Sequence, residues 1–173
     1  MMKHLINHFL AVVITALIST SAWSQDRTAA DFTLKTLDGN SVTLSDHKDK
    51  AVLLVFWATW CPYCKKLLPG IERLHQTYQD KGLKVIAISV MDDGDPRAYI
   101  KKYGYSFTVA VEGDAIMNNF MVPATPTIAV LSKNNQWHDH MNISDPNSLK
   151  LENSVRTALG LEPLAANADK KED

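Results

Sequence analysis

Apolar residues fall along this chain in two rhythms, and the switches between them mark out its elements. Asp31-Phe32-Thr33-Leu34 and Ser41-Val42-Thr43-Leu44 alternate polar and apolar, the period of a half-buried strand. Between them Leu37-Asp38-Gly39-Asn40 carries an Asp-Gly turn, so the pair predicts a β-hairpin. Ala51 to Trp57 is then apolar without a break, the length and branching of a buried central strand. From Pro62 the rhythm changes. Leu67, Ile71, Leu74 and Tyr78 follow at steps of four, three and four, one face of a helix. Lys81-Gly82 supplies its C-terminal cation and glycine stop. Pro69 lies inside it and removes one backbone hydrogen bond, which predicts a kink.

Leu83 to Val90 predicts a second buried strand. Asp95 caps a helix that starts at Pro96 and stops at Gly104. Ser106 to Val111 reads as a short strand, Asp114 to Met121 as a short helix and Thr127 to Leu131 as a strand. A turn at Lys133-Asn134-Asn135-Gln136 leads to a strand at Trp137 to Met141, and Asp145-Pro146 opens a last helix ending near Leu159-Gly160. The order β-β-β-α-β-α-β-α-β-β-α predicts an α/β chain, a mixed sheet with helices on both faces.

The ends change where this domain is expected to work. Lys3, the apolar run Phe9 to Ile18 and small residues at Ala22 and Ser24 have the make-up of a secretory leader. Residues 1–24 are expected to be removed near Ser24, which puts the protein in the periplasm. The alternative is an uncleaved membrane tether, although the apolar run falls short of the ~20 residues a span needs. Residues 25–163 then form one domain, and 164–173, ending Asp-Lys-Lys-Glu-Asp, a disordered charged tail. Without Lys3 the balance is 17 basic against 19 acidic residues, a net charge of −2. That gives no electrostatic reason for nucleic acid or anionic lipid as a partner.

Cysteine usage carries the chemistry. The chain has two, in Cys61-Pro62-Tyr63-Cys64, where the buried strand gives way to a helix. Such a pair reads as a dithiol/disulfide redox centre. A bridge closing so short a loop adds little stability through loop entropy, so the pair is there to react. Structural zinc wants four ligands, and no second cysteine pair supplies them. His138-Asp139-His140-Met141 would put two histidines on one face of a strand, read first as a solvated edge and second as a copper or zinc site. No metal or other cofactor is expected.

Taken together, these features resemble the thioredoxin fold, and within it the exported thiol-disulfide oxidoreductases of the TlpA/ResA/DsbE type. The resemblance rests on Ala30-Asp31-Phe32-Thr33-Leu34 with Leu37-Asp38-Gly39, on Phe56-Trp57-Ala58-Thr59-Trp60-Cys61, and on Cys64 and Pro69. Val122 with Thr125-Pro126-Thr127 completes it, and it covers Ala30 to Gly160. It implies a thioredoxin fold, a mixed central β-sheet flanked by helices, with an N-terminal β-hairpin extension. Cys61 and Cys64 would form the redox-active disulfide. Cys61, ahead of a helix whose N–H groups and dipole favour a thiolate, would attack, and Cys64 would resolve the mixed disulfide. Pro126 would be cis and face the cysteines, with the free Thr125 backbone open to an extended substrate strand. Trp60 would stand exposed beside the thiolate, so Trp60, Thr125 and Pro126 are the candidate substrate-binding residues. Lys65 and Lys66 read first as a solvated helix face and second as charge support for the thiolate.

Three departures limit the likeness. Val55 stands where thioredoxin has a buried aspartate, Leu67 where ResA-like members have a glutamate, and Ala124 where glycine is usual. The first two take away the obvious proton acceptors for Cys64. Pro62-Tyr63 resembles glutaredoxins and points to a potential less reducing than thioredoxin's. The expected activity is exchange of disulfides with protein substrates, reductase before oxidase or isomerase, with cytochrome c assembly as one setting and a membrane-bound electron donor as its source of electrons. Two other classes stay open. A peroxiredoxin-like peroxidase would want threonine and proline before a lone cysteine, where Trp60 stands. A non-catalytic copper-handling protein would use Cys61, Cys64, His138 and His140.

Overall fold

Strand β3, Ala51–Trp57, is buried at every position, because its branched and aromatic side chains are covered on both faces of the sheet. The computed structural model of the chain describes residues 27–165. The expected leader, 1–24, lies outside the described residues, as do 166–173 of the expected tail. β3 runs parallel to β4, Leu83–Ser89, which runs parallel to the short β5, Thr108–Ala110. On its other side β3 pairs antiparallel with β6, Thr127–Ser132, and β6 pairs antiparallel with β7, Gln136–Met141. The sheet order is therefore β5-β4-β3-β6-β7. A separate antiparallel hairpin, β1 (Thr33–Lys35) and β2 (Ser41–Thr43), precedes it.

Alternation along β3 divides the core. Leu53, Val55 and Trp57 point to a layer shared with α1 (Pro62–Tyr78) and α3 (Leu149–Ala158), and Tyr99 and Ile100 of α2 (Pro96–Tyr103) pack on that layer too. Val52, Leu54 and Phe56 point the other way, to Phe32, Val42, Leu44, Ile116, Phe120 and Val122. All three α-helices of the described residues thus contribute to the first layer. The hairpin and short 3₁₀ turns cover the second, where the element order predicts helices on both faces. Each fully buried aliphatic or aromatic side chain removes enough apolar surface to contribute roughly 1.5–3 kcal/mol.

Both edges of the sheet are met by the N-terminal segment. Val111 N–H donates to Lys35 C=O (2.9 Å) and Leu37 N–H to Val109 C=O (3.1 Å), so the hairpin closes on β5. Across the molecule, Trp137 N–H donates to Arg27 C=O (2.9 Å) and Ala29 N–H to Asn135 C=O (2.8 Å), at the start of β7.

Elsewhere the structure moves element boundaries. The expected strand at Ser106 shrinks to Thr108–Ala110, because the Ser106 N–H and hydroxyl both go to Glu72. The expected helix at Asp114–Met121 is a 3₁₀ turn, Gly113–Ile116, followed by turns. The last helix is capped by Ser148, whose Oγ accepts Leu151 N–H, while Asp145 accepts Asn147 N–H in a turn ahead of it. α1 runs unbroken through Pro69, which sits on its exposed side. Leu164, assigned above to the tail, exchanges two hydrogen bonds with Asn153 (2.7 and 3.1 Å).

Candidate active site

The carboxyl ends of the parallel strands β3 and β4 lie side by side, so the loops that leave them meet. The loop after β3 carries Thr59, Trp60 and Cys61; the loop after β4 carries Met91, Asp92 and Gly94. Cys61 is the N-cap of α1, and its Sγ accepts Cys64 N–H at 3.1 Å. Pro62 at the first helical position gives up no hydrogen bond there. Cys61 and Cys64 form a disulfide and are 1% and 0% exposed, so both sulfurs sit below the surface. Reduced, Cys61 would hold its sulfur at the positive end of a seventeen-residue helix, a setting that depresses thiol pKa values.

The second half of the site arrives from the loop before β6. Thr125-Pro126 is a cis peptide bond, and the Thr125 carbonyl oxygen lies 3.5 Å from Cys61 Sγ. Among the described residues Thr125 N–H has no hydrogen-bond partner, and Thr125 Oγ1 is buried without one. A shallow cleft of about 310 Å³ runs beside this loop between Tyr63, Ala124 and Ile143, and no charged side chain lines it. Trp60 (52% exposed) and Tyr63 (64%) flank the disulfide on the surface. The Trp60 Nε1–H donates to Met91 C=O at 2.7 Å, which fixes the indole against the loop after β4.

Asp92 is the residue that sequence reasoning passed over. Its carboxylate accepts Thr59 N–H (2.8 Å), Thr59 Oγ1–H (2.5 Å), Ser89 Oγ–H (2.9 Å) and Gly94 N–H (3.1 Å). Burial acts to raise its pKa, but the hydrogen bonds from Thr59, Gly94 and Ser89 outweigh it, and the carboxyl titrates below its ordinary value. The two loops are close enough that a Cβ on Gly94 would sit 2.1 Å from Thr59 Oγ1. One signal for Asp92 was present in the sequence: it follows a strand expected to neighbour the cysteine strand, where α/β sites gather.

Other candidates fall as follows. Val55 and Leu67 are both fully buried beside the cysteines, and among the described residues no titratable side chain hydrogen-bonds to Cys64. Lys65 and Lys66 are exposed, and the Lys65 ammonium stands 6.0 Å from the Tyr99 ring centre. The expected histidine pair, His138 and His140, lines one shallow cleft with Arg27, Met121 and Trp137, and among the described residues no group of three His, Cys, Asp or Glu side chains is placed to hold a metal ion. β7 bulges between Trp137 and Asp139, leaving His138 as the extra residue, while His140 opposes Ala129 and contacts the Phe120 carbonyl (3.2 Å).

The chain is similar to known proteins. Residues 26–137 match the AhpC/TSA family. Thiol-disulfide oxidoreductase ResA of Geobacillus thermodenitrificans is 33% identical over 112 residues, 62% of this chain and 63% of that protein. Thioredoxin-like protein YneN of Bacillus subtilis is 37% identical over 109 residues, 61% of this chain and 64% of that one. The matches thus span just under two thirds of those relatives' own lengths. A thiol:disulfide interchange protein of the thioredoxin family from Chlorobium tepidum superposes with a TM-score of 0.71 at 22% identity. That alignment covers 80% of this chain and 100% of that one, and at this identity it establishes the thioredoxin fold.

Proposed function

The chain belongs to the AhpC/TSA family in its thioredoxin-like form, and from that premise we propose that it is an exported thiol-disulfide oxidoreductase acting on protein substrates. The observation that carries this reading is the Cys61–Cys64 disulfide at a helix N-terminus, 3.5 Å from the carbonyl of a cis Thr125-Pro126 loop. In the reductive direction, the Cys61 thiolate attacks a substrate disulfide and releases one substrate thiolate. Cys64, as thiolate, then attacks the Cys61–substrate bond. The substrate leaves with both sulfurs reduced, and the enzyme leaves as the disulfide, two electrons poorer. An external dithiol, which we place on a membrane-bound donor, restores the reduced pair.

Trp60 and the Thr125 backbone hold an extended substrate segment over the sulfurs, with Pro126 closing the floor. The uncharged cleft beside them suits a segment whose cysteine is flanked by uncharged residues. With Val55 and Leu67 where acids stand in similar proteins, water serves as the proton acceptor for Cys64. Reduction, with cytochrome c assembly as one setting, is preferred to oxidation or isomerisation because ResA is among the relatives. A peroxidase has less to recommend it, since Trp60 directly precedes Cys61 and a second cysteine lies within bonding reach.

The test is Cys64→Ser in the full chain, offered a protein disulfide such as insulin. A trapped Cys61–substrate disulfide, absent in Cys61→Ser, is expected. Insulin reduction that survives Cys61→Ser would end the mechanism. Equilibration in glutathione buffers fixes direction: a potential below about −220 mV supports the reductase, and one near −120 mV reverses it.

A further inference from the structure

The 124–127 loop is held by a side chain far from the cysteines in sequence. Asn142, just past the end of β7, donates one amide hydrogen to Pro126 C=O (3.0 Å) and the other to Thr127 Oγ1 (2.7 Å). Thr127 Oγ1 in turn donates to Ala124 C=O (2.7 Å). One amide therefore engages, directly and through a hydroxyl relay, the carbonyls on both sides of Thr125. What the relay leaves uncommitted in the loop is the backbone of Thr125: its N–H has no partner among the described residues, and its carbonyl faces Cys61 Sγ.

We infer that Asn142 is a positioning residue for the proposed reaction, holding the loop so that the Thr125 backbone stays presented to a protein substrate. This rests on the oxidoreductase reading above. Two features give it its logic. The relay occupies the Ala124 and Pro126 carbonyls, which would otherwise bind water and leave the loop free to shift. Asn142 itself is exposed, so it adds little to the core, and its bonds are spent on this loop alone. Pairing with an extended chain depends on a fixed backbone, whereas attack by a small thiol or disulfide needs only the sulfur.

The experiment compares wild type, Asn142→Ala and Asn142→Asp as full chains with two substrates, insulin and glutathione disulfide. Alanine removes both donors. Aspartate keeps the shape but sets a carboxylate against the Pro126 carbonyl. For insulin, KM is expected to rise about tenfold in both variants with kcat within about twofold, the order of effect of one to two lost hydrogen bonds. The rate with glutathione disulfide should fall at least about fivefold less than kcat/KM for insulin does, and the Cys61 pH profile should keep its midpoint. An unchanged insulin KM overturns the inference. So does an equal loss with both substrates, which would mean a general structural role. If the wild type exchanges with neither substrate, the oxidoreductase reading falls first, an outcome separable from both.

Discussion

Asp92→Ala is the sharpest probe of how the two loops at the site are joined. The substitution removes four acceptor contacts: two from Thr59 and one each from Ser89 and Gly94. A hydrogen bond to a charged group nets about 1.5–3 kcal/mol, but these share one carboxylate and are not additive. Asp92 is also partly exposed, so water recovers some of the loss. Ser89 is 4% exposed and cannot be rehydrated as easily. Together these terms give a loss of about 2–3 kcal/mol at pH 7. Asp92→Asn keeps one oxygen and turns an amide hydrogen towards an N–H donor, so about 1–2 kcal/mol is expected. Urea unfolding of the oxidised protein, with the midpoint shifted and the slope unchanged, measures it. The folded pKa of Asp92 is depressed, so its contribution is full above the ordinary value of 3.8 and disappears as pH falls through the lower folded value. The gap between wild type and Asp92→Ala should therefore close in acid. A gap under about 0.5 kcal/mol at pH 7, or one unchanged down to about pH 2, would refute the argument.

Two further outcomes follow from packing and charge. In Gly70→Ala the new Cβ would lie 2.1 Å from the Pro146 carbonyl oxygen and 2.6 Å from its Cα, both backbone, so α1 must move off the segment before α3. A loss of about 1–3 kcal/mol is expected, seen as a Tm at least about 3 °C lower, and an unchanged Tm would contradict the close approach. Glu152 accepts Arg73 Nη1–H (2.8 Å) and Tyr78 O–H (2.7 Å); burial raises its pKa, yet these bonds and the charges of Arg73 and Arg156 hold it below 4.5. Glu152→Gln should cost about 1 kcal/mol at neutral pH and nothing once pH has fallen through the depressed value, measured by unfolding at a series of pH values.

What the sequence made legible was set by residues that act locally. Ala51–Trp57, the helix from Pro62 and the cysteines between them needed only period and chain order, and the hairpin needed only Asp38-Gly39. The rest depended on partners distant in the chain. Asp92 finds Thr59 across 33 positions, and Asn142 reaches Pro126 and Thr127 across 16 and 15. Asn142 leaves no local mark, and Asp92 leaves only its place after a strand. The histidine strand hid something else: period-two reading assumes a regular ladder, and one extra residue at His138 brings the Trp137 and His140 rings to 6.1 Å. The last helix starts at Ser148 rather than at Asp145-Pro146, where Asp145 instead accepts Asn147 N–H in a turn.

The closing of the sheet by the N-terminal segment has a consequence for the company this protein keeps. A molecule that accepts strands from others, as proposed above, risks accepting them anywhere a ladder is left open, including from its own copies. Here β5 is occupied by the Lys35–Leu37 backbone, β7 is met at its start by Arg27 and Ala29, and the bulge at His138 spoils the register that follows. On the proposed reading, main-chain recognition, which ignores side-chain identity, falls to the Thr125 backbone beside the sulfurs. Tolerance for many partners and resistance to self-association need not conflict when the open rung lies at the sulfurs and the sheet edges are occupied or irregular.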